Sequence, residues 1–262
     1  MQASSTQPPS ATQPAQAETP PAIDIDCNVV ELRQYTLRPG QRDVLIELFD
    51  RAFVEPQEAV GMAVMGQFRD LDAPDRFVWL RGFASMDSRA QGLTAFYDGP
   101  VWRRHRDAAN ATMIDSDNVL LLRPAWPGAG IPMGGRKRPT GPVRTSLPGV
   151  LDVSVFHLHE PASAALLRFC QGPMTQALLR GGAEVLGWYV TENAPNNFPR
   201  LPVRQGEHVL VGFAMFAAPA AFETFARSGL WAREVQPALE PWLTGPTQSM
   251  RLVATDRSLI HD

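Results

Sequence analysis

The sequence predicts an α+β protein made of two tandem βαββαβ units that close on each other face to face. Three observations predict it. Runs with strand alternation and runs with helical spacing follow one order, strand, helix, hairpin, helix, strand, and then repeat it. A stretch dense in Pro and Gly, residues 126–149, separates the two passages and is too long for a loop inside one compact unit. The passages also share residues. Phe96 and Trp102 are six apart in the first long helix, as are Phe225 and Trp231 in the second. The segments YDGPVWRRHRD and ARSGLWAREVQ align without a gap, with Arg104 and Arg233 each two positions after its Trp.

The first unit, residues 29–125, opens with VVELRQYTL over Val29–Leu37, a strand ended by Arg38-Pro39-Gly40. Val44, Leu45, Leu48 and Phe49 then give a helix over Gln41–Pro56. Hairpin arms over Ala59–Phe68 and Arg76–Ser85 flank a polar turn. A long helix over Ser88–Met113 is interrupted near Gly99-Pro100, and a strand over Asn118–Leu122 closes the unit. The second unit, residues 150–256, gives a strand over Val150–Leu158, a helix over Pro161–Leu179, and arms over Ala183–Glu192 and His208–Ala217. A helix over Pro219–Leu243 and a strand over Gln248–Ala254 complete it. Residues 1–28, rich in Gln, Ser, Thr, Ala and Pro, read as a disordered tail.

The chain has 262 residues and a formal net charge of −3, all of it carried by Glu18, Asp24 and Asp26 of the tail, so the remainder is balanced. No single-signed field attracts nucleic acid, and the short basic run Arg136-Lys137-Arg138-Pro139 lacks interleaved aromatics. No apolar run approaches the roughly 20 residues that span a bilayer, and the tail lacks the basic start and apolar core of a secretory signal. Two isolated cysteines, Cys27 and Cys170, outside any CxxC pattern fit a reducing, cytoplasmic setting. The standard phosphate-cradle, nucleophile-elbow and zinc motifs are absent, so no cofactor is expected from them. His157 and His159 alternate along a strand with no third ligand nearby, so no metal is expected there either.

A sheet with helices on one face leaves the other open, and burying it against a second sheet gains about 25 cal/mol per Å² of apolar area. Two such ferredoxin-like units therefore form a barrel with helices outside. The segments VVELRQYTLRPGQ, RFVWLRGFAS and GPVWRRHRDAANATM resemble the NIPSNAP family, a branch of the dimeric α/β-barrel superfamily, over residues 29–125. Over residues 150–256 the resemblance is much weaker. It implies a single-chain version of that barrel, with a cavity, and a possible further homodimer. It names no reaction: the superfamily includes haem-degrading and quinone-forming monooxygenases, haem proteins and isomerases.

Alternation places Glu31, Arg33 and Tyr35 on one face of the first strand, and Phe77, Trp79, Arg81 and Phe83 on one face of the neighbouring arm. The aliphatic set opposite suits packing under helices. Glu31, Arg33, Tyr35, Trp79 and Arg81 are therefore expected to line a cavity between the sheets, where they would orient an anionic or aromatic ligand. The same residues also read as a buried ion pair that satisfies itself. In the second unit Asp152, Ser154 and Phe156 match Glu31, Arg33 and Tyr35, keeping the acid and losing the Arg, so function is expected to lean on the first unit. The loop Asn193–Glu207 is a candidate lid or a plain surface insertion. Two classes follow: a small-molecule enzyme or binding protein, which as an enzyme would be a cofactor-independent or haem-linked monooxygenase or isomerase, and a non-enzymatic adaptor.

Overall fold

The computed structural model describes residues 25–139 and 148–261. Eight strands close into one barrel in the order β1-β3-β2-β8-β5-β7-β6-β4. The first half supplies β1 (Val29–Leu37), β2 (Ala63–Asp70), β3 (Arg76–Phe83) and β4 (Met113–Pro124). The second supplies β5 (Val150–Leu158), β6 (Ala183–Thr191), β7 (His208–Phe216) and β8 (Gln248–Ala254). Neighbouring strands are antiparallel throughout. The halves meet at two short seams: Phe68–Asp70 of β2 pairs with Leu252–Ala254 of β8, and Leu122–Pro124 of β4 with Tyr189–Thr191 of β6.

The first half carries α1 (Arg42–Ala52), α2 (Val54–Glu58), α3 (Met86–Tyr97) and α4 (Pro100–Thr112). Ser85 and Ser88 form a capping box at the start of α3, and Pro100 opens α4 at the break that the sequence marks. The second half carries α5 (Ala164–Phe169), a π-helical turn over Cys170–Met174, α6 (Thr175–Arg180), α7 (Pro219–Ser228), α8 (Leu230–Glu234) and α9 (Gln236–Leu239). Pro173 lies inside the π turn, where a wider turn tolerates its missing N–H. The expected single helix over 219–243 is instead several short ones. Gly229 at φ +64° ends α7 in the left-handed region, and Pro237 and Pro241 each open a new turn.

The barrel interior is the aliphatic face. Val30, Leu32, Val78 and Leu80 of the first half pack with Leu151, Val153, Val211 and Phe213 of the second in one buried cluster. Helices cover the opposite face of each half, each over its own core. Three segments outside the repeats join the interior. Ile25 and Cys27 pack against it, with Cys27 Sγ over Gly82 where no Cβ fits. These residues belong to the stretch read as a tail; residues 1–24 lie outside the described residues. Ile131 and Met133, read as tether, are buried there too, and Ile131 N–H donates to the Tyr189 hydroxyl (2.8 Å). Leu259 and Ile260 complete the set from beyond the last strand.

Candidate functional site

The strand faces are the reverse of the sequence expectation. Glu31, Arg33, Tyr35, Trp79 and Arg81 lie together under the helices of the first half, and the barrel interior takes the aliphatic side chains instead. An eight-stranded barrel leaves an interior that modest side chains fill, whereas the sheet–helix layer holds Trp and Arg. No ligand reaches these five residues from between the sheets.

They form one buried polar cluster. Arg81 donates twice to Glu31 Oε2 (3.1 and 2.6 Å), Arg33 donates to the same oxygen (2.9 Å), and Arg89 of α3 donates to Oε1 (2.8 Å). Arg81 also donates to Gln57 Oε1 (3.0 Å) and Arg33 to the Tyr35 hydroxyl (3.0 Å). Arg89 reaches Asn196 and Asn197 of the long loop, whose Phe198 is buried in the first half's core. That loop therefore crosses from the second half to close the first, and is no lid over an inter-sheet cavity. Burial alone would raise the Glu31 pKa, but the Arg81, Arg33 and Arg89 guanidiniums hold it far below the usual carboxylate range. Arg33 lies 5.6 Å and Arg81 4.9 Å from the Trp79 ring centre, and Tyr35 meets that ring edge-on. Nothing in the cluster is exposed to take a substrate. Sequence reasoning missed Arg89, whose signal was an arginine on the buried face of α3 beside Leu93 and Phe96.

The register shows what became of the same positions in the second half. Glu31 pairs with Arg81 and Arg33 with Trp79, while Asp152 pairs with Ala214 and Ser154 with Gly212. Trp79 and Arg81 thus correspond to Gly212 and Ala214. The tryptophan moves to the adjacent strand: Gln67 pairs with Trp79 in the first half, Trp188 with Gly212 in the second. The Trp188 ring lies where a Gly212 side chain would stand, 2.5 Å from an added Cβ. Trp188 Nε1 donates to Thr175 Oγ1 (3.0 Å), which fixes the ring against the sheet.

These exchanges open a pocket of about 680 Å³ between the second sheet and its broken helices. Its floor is Asp152 and Ser154 of β5, Gly212 and Ala214 of β7, and Ser249 of β8. Its walls are aromatic: Phe156, Trp188, Phe222, Phe225 and Trp231. Phe156 and Trp231 stack with centres 6.0 Å apart and planes 20° from parallel. Asp152 is 7% exposed, and accepts from Ser249 (2.7 Å to Oδ1) and Ser154 (3.1 Å to Oδ2). Burial raises its pKa, against these two hydroxyls. Among the described residues no cation pairs with Asp152, and Arg251 beside it in the sheet pairs outward with Asp72. Asp152 is thus the one expected site residue that faces a cavity.

Haem, found elsewhere in the superfamily, does not fit this pocket. No His, Cys, Met or Tyr lines it to supply an axial ligand. Among the described residues no group of three His, Cys, Asp or Glu is placed to hold a metal, and no helix is long and apolar enough to cross a membrane.

The barrel and its two helix layers define the dimeric α/β-barrel class, built here within one chain. Residues 30–126, within the first half, match the NIPSNAP family model. No curated protein matches the chain. The chain is similar to a candidate monooxygenase from Lactobacillus acidophilus NCFM, 11% identical, covering 89% of this chain and 98% of that one at a TM-score of 0.53. A candidate monooxygenase from Fusobacterium nucleatum is 6% identical, covering 89% and 96% at a TM-score of 0.53. A NIPSNAP family protein from Agrobacterium tumefaciens C58 is 21% identical, covering 37% and 92% at a TM-score of 0.35. At these identities the likeness shows the fold alone.

Proposed function

We propose that this protein binds, and as an enzyme converts, a small aromatic molecule in the pocket of its second half. The supporting observation is the pocket itself. At about 680 Å³ it falls within the size range of small-molecule sites, with apolar aromatic walls and a few convergent polar groups. The corresponding layer of the first half is filled by Trp79, Arg33 and Arg81. An anionic ligand, the other class that the sequence suggested, is disfavoured at this pocket, because no Lys, Arg or His lines it.

The adaptor reading lacks a comparable observation. Among the described residues the large exposed apolar side chains are Val44, Leu71, Ile114 and Leu179, each on a different segment of the chain. The test is mass spectrometry of the purified full-length protein for a co-purified aromatic metabolite. It is paired with the same measurement on Ala214→Arg, which restores to the pocket floor the side chain that the first half has there. A bound molecule in the wild type, lost in the variant, is the expected result. Equal recovery from both would place the ligand elsewhere and sink the proposal. The neighbours' descriptions make oxygenation of an aromatic substrate the first activity to assay.

A further inference from the structure

We infer that the molecule held in this pocket is a cation: an arylalkylamine, an aromatic ring bearing an aliphatic ammonium group. The inference rests on the proposed use of the pocket and adds the charge of its occupant. Three observations carry it. The first is Asp152, a carboxylate 7% exposed on the floor of an aromatic cavity, with no cationic partner among the described residues. A buried carboxylate of this kind is normally neutralised by a positive group. In the first half that is what happens: Glu31, at the same strand position, is met by Arg33, Arg81 and Arg89. In the second half Ala214 and Ser154 replace Arg81 and Arg33, and Arg251, opposite Asp152 on β8, gives its guanidinium to Asp72 and the Phe222 ring, so no arginine meets the acid that stays.

The second observation is the state in which Asp152 is held. Ser249 and Ser154 each contribute a hydroxyl, one to each carboxylate oxygen, an arrangement that supports the ionised form in a site whose burial works against it. A bound ammonium supplies the missing charge and leaves both hydroxyl contacts in place. The third is the wall. Phe156, Trp188 and Trp231 line the same cavity as the carboxylate, and aromatic rings attract cations. Glu240, on the exposed rim, adds a second negative charge, and the lining contains no positive one. An ammonium on an aromatic body satisfies the floor, the walls and the rim together. A neutral alcohol would satisfy only the walls and one hydrogen bond, and a carboxylic acid would face Asp152 with like charge.

The test uses three probes of nearly one shape and different charge: tryptamine (protonated at neutral pH), tryptophol (neutral) and indole-3-acetate (anionic). Binding of each to the full-length protein is measured by calorimetry at pH 7. Tryptamine should bind about tenfold or more tighter than tryptophol, with indole-3-acetate weakest, the margin expected of one charge-assisted contact. In Asp152→Asn, which keeps the shape and the possibility of both serine contacts, the preference for tryptamine over tryptophol should collapse to near unity. Glu240→Gln at the exposed rim should reduce it by a smaller factor, and it gives a second reading should Asp152→Asn fold poorly. Equal affinity for tryptamine and tryptophol in the wild type would overturn the charge assignment and leave the aromatic pocket standing. Tighter binding of indole-3-acetate would overturn it as well. No binding of any probe, with Ala214→Arg unchanged from wild type in co-purified ligand, would sink both readings.

Discussion

The two halves of the barrel share a topology and differ in what fills the layer between sheet and helices. In the first half a carboxylate, three guanidiniums, a phenol and an indole close that layer; in the second a carboxylate and two serine hydroxyls lie at the floor of a cavity. The difference is set on two facing strands: Arg33, Trp79 and Arg81 against Ser154, Gly212 and Ala214. What it teaches is that the side chains resembling a binding site are the ones that satisfy each other. The half that lost them has room for a ligand within that layer, whereas the first half's cavity, about 670 Å³, lies beside α4 and the loop at Phe198–Pro202.

The largest expected effect comes from breaking the filled half. Glu31→Gln leaves three buried guanidiniums without their common anion, and should cost about 3–5 kcal/mol in urea unfolding. Phe198→Ala comes next. It removes the ring by which the second half's loop enters the first half's core, and should cost about 3 kcal/mol, or somewhat less if the loop relaxes.

The third effect differs in sign from the first. Glu31 has a lowered pKa in the folded state, so its contribution is present above the unfolded carboxylate pKa and is lost as pH falls through the folded value. Asp152 has a raised one, so its contribution is fully present below the unfolded pKa and is lost as pH rises through the folded value. Asp152→Asn should therefore melt higher than wild type at neutral pH in the absence of ligand, and lose that advantage in acid. Equal pH profiles for the two variants would erase the contrast between the halves.

The smallest effect is at the edge of the first layer, where Asp50 of α1 accepts from Gln67 Nε2 (3.3 Å). Burial pushes the Asp50 carboxyl up to about 6, against nearby Arg257 and Arg138. Asp50→Asn should flatten a modest loss of stability that the wild type shows as pH rises from about 4 to about 6, read by thermal melts across that range.

The order of strands and helices was legible because period and punctuation are local properties. Val29–Leu37 and Val150–Leu158 have the bounds that alternation predicts. The direction each face points was not, because alternation separates two faces without saying which is inside. The sizes of the side chains held the answer: Val30, Leu32, Val78 and Leu80 fit a barrel interior, and Trp79 with two arginines does not. The pocket was half legible. Asp152 and its lost arginine are readable from the strand alignment, but Gly212 and Ala214 of β7 gain meaning only against Trp79 and Arg81 in the register. Reading small residues as vacated space would have found the cavity. The packing of Ile25, Ile131 and Ile260 into the barrel was not legible, since isolated apolar residues in irregular segments have no period to read.

Joining both halves in one chain has a consequence for how such a cavity can arise. In an assembly of two identical subunits, any codon change is expressed twice. Hollowing one layer would hollow its mate, and both ion clusters would be lost together. Here Gly212 and Ala214 could replace larger side chains while Trp79 and Arg81 stayed, so one lobe keeps the molecule rigid while the other is free to vary. Among the described residues, strands of one lobe pair with those of the other at two short seams, β2–β8 and β4–β6, and share the barrel interior. The pocket's lining lies clear of both, so it can be selected for a new ligand without asking the first lobe to change.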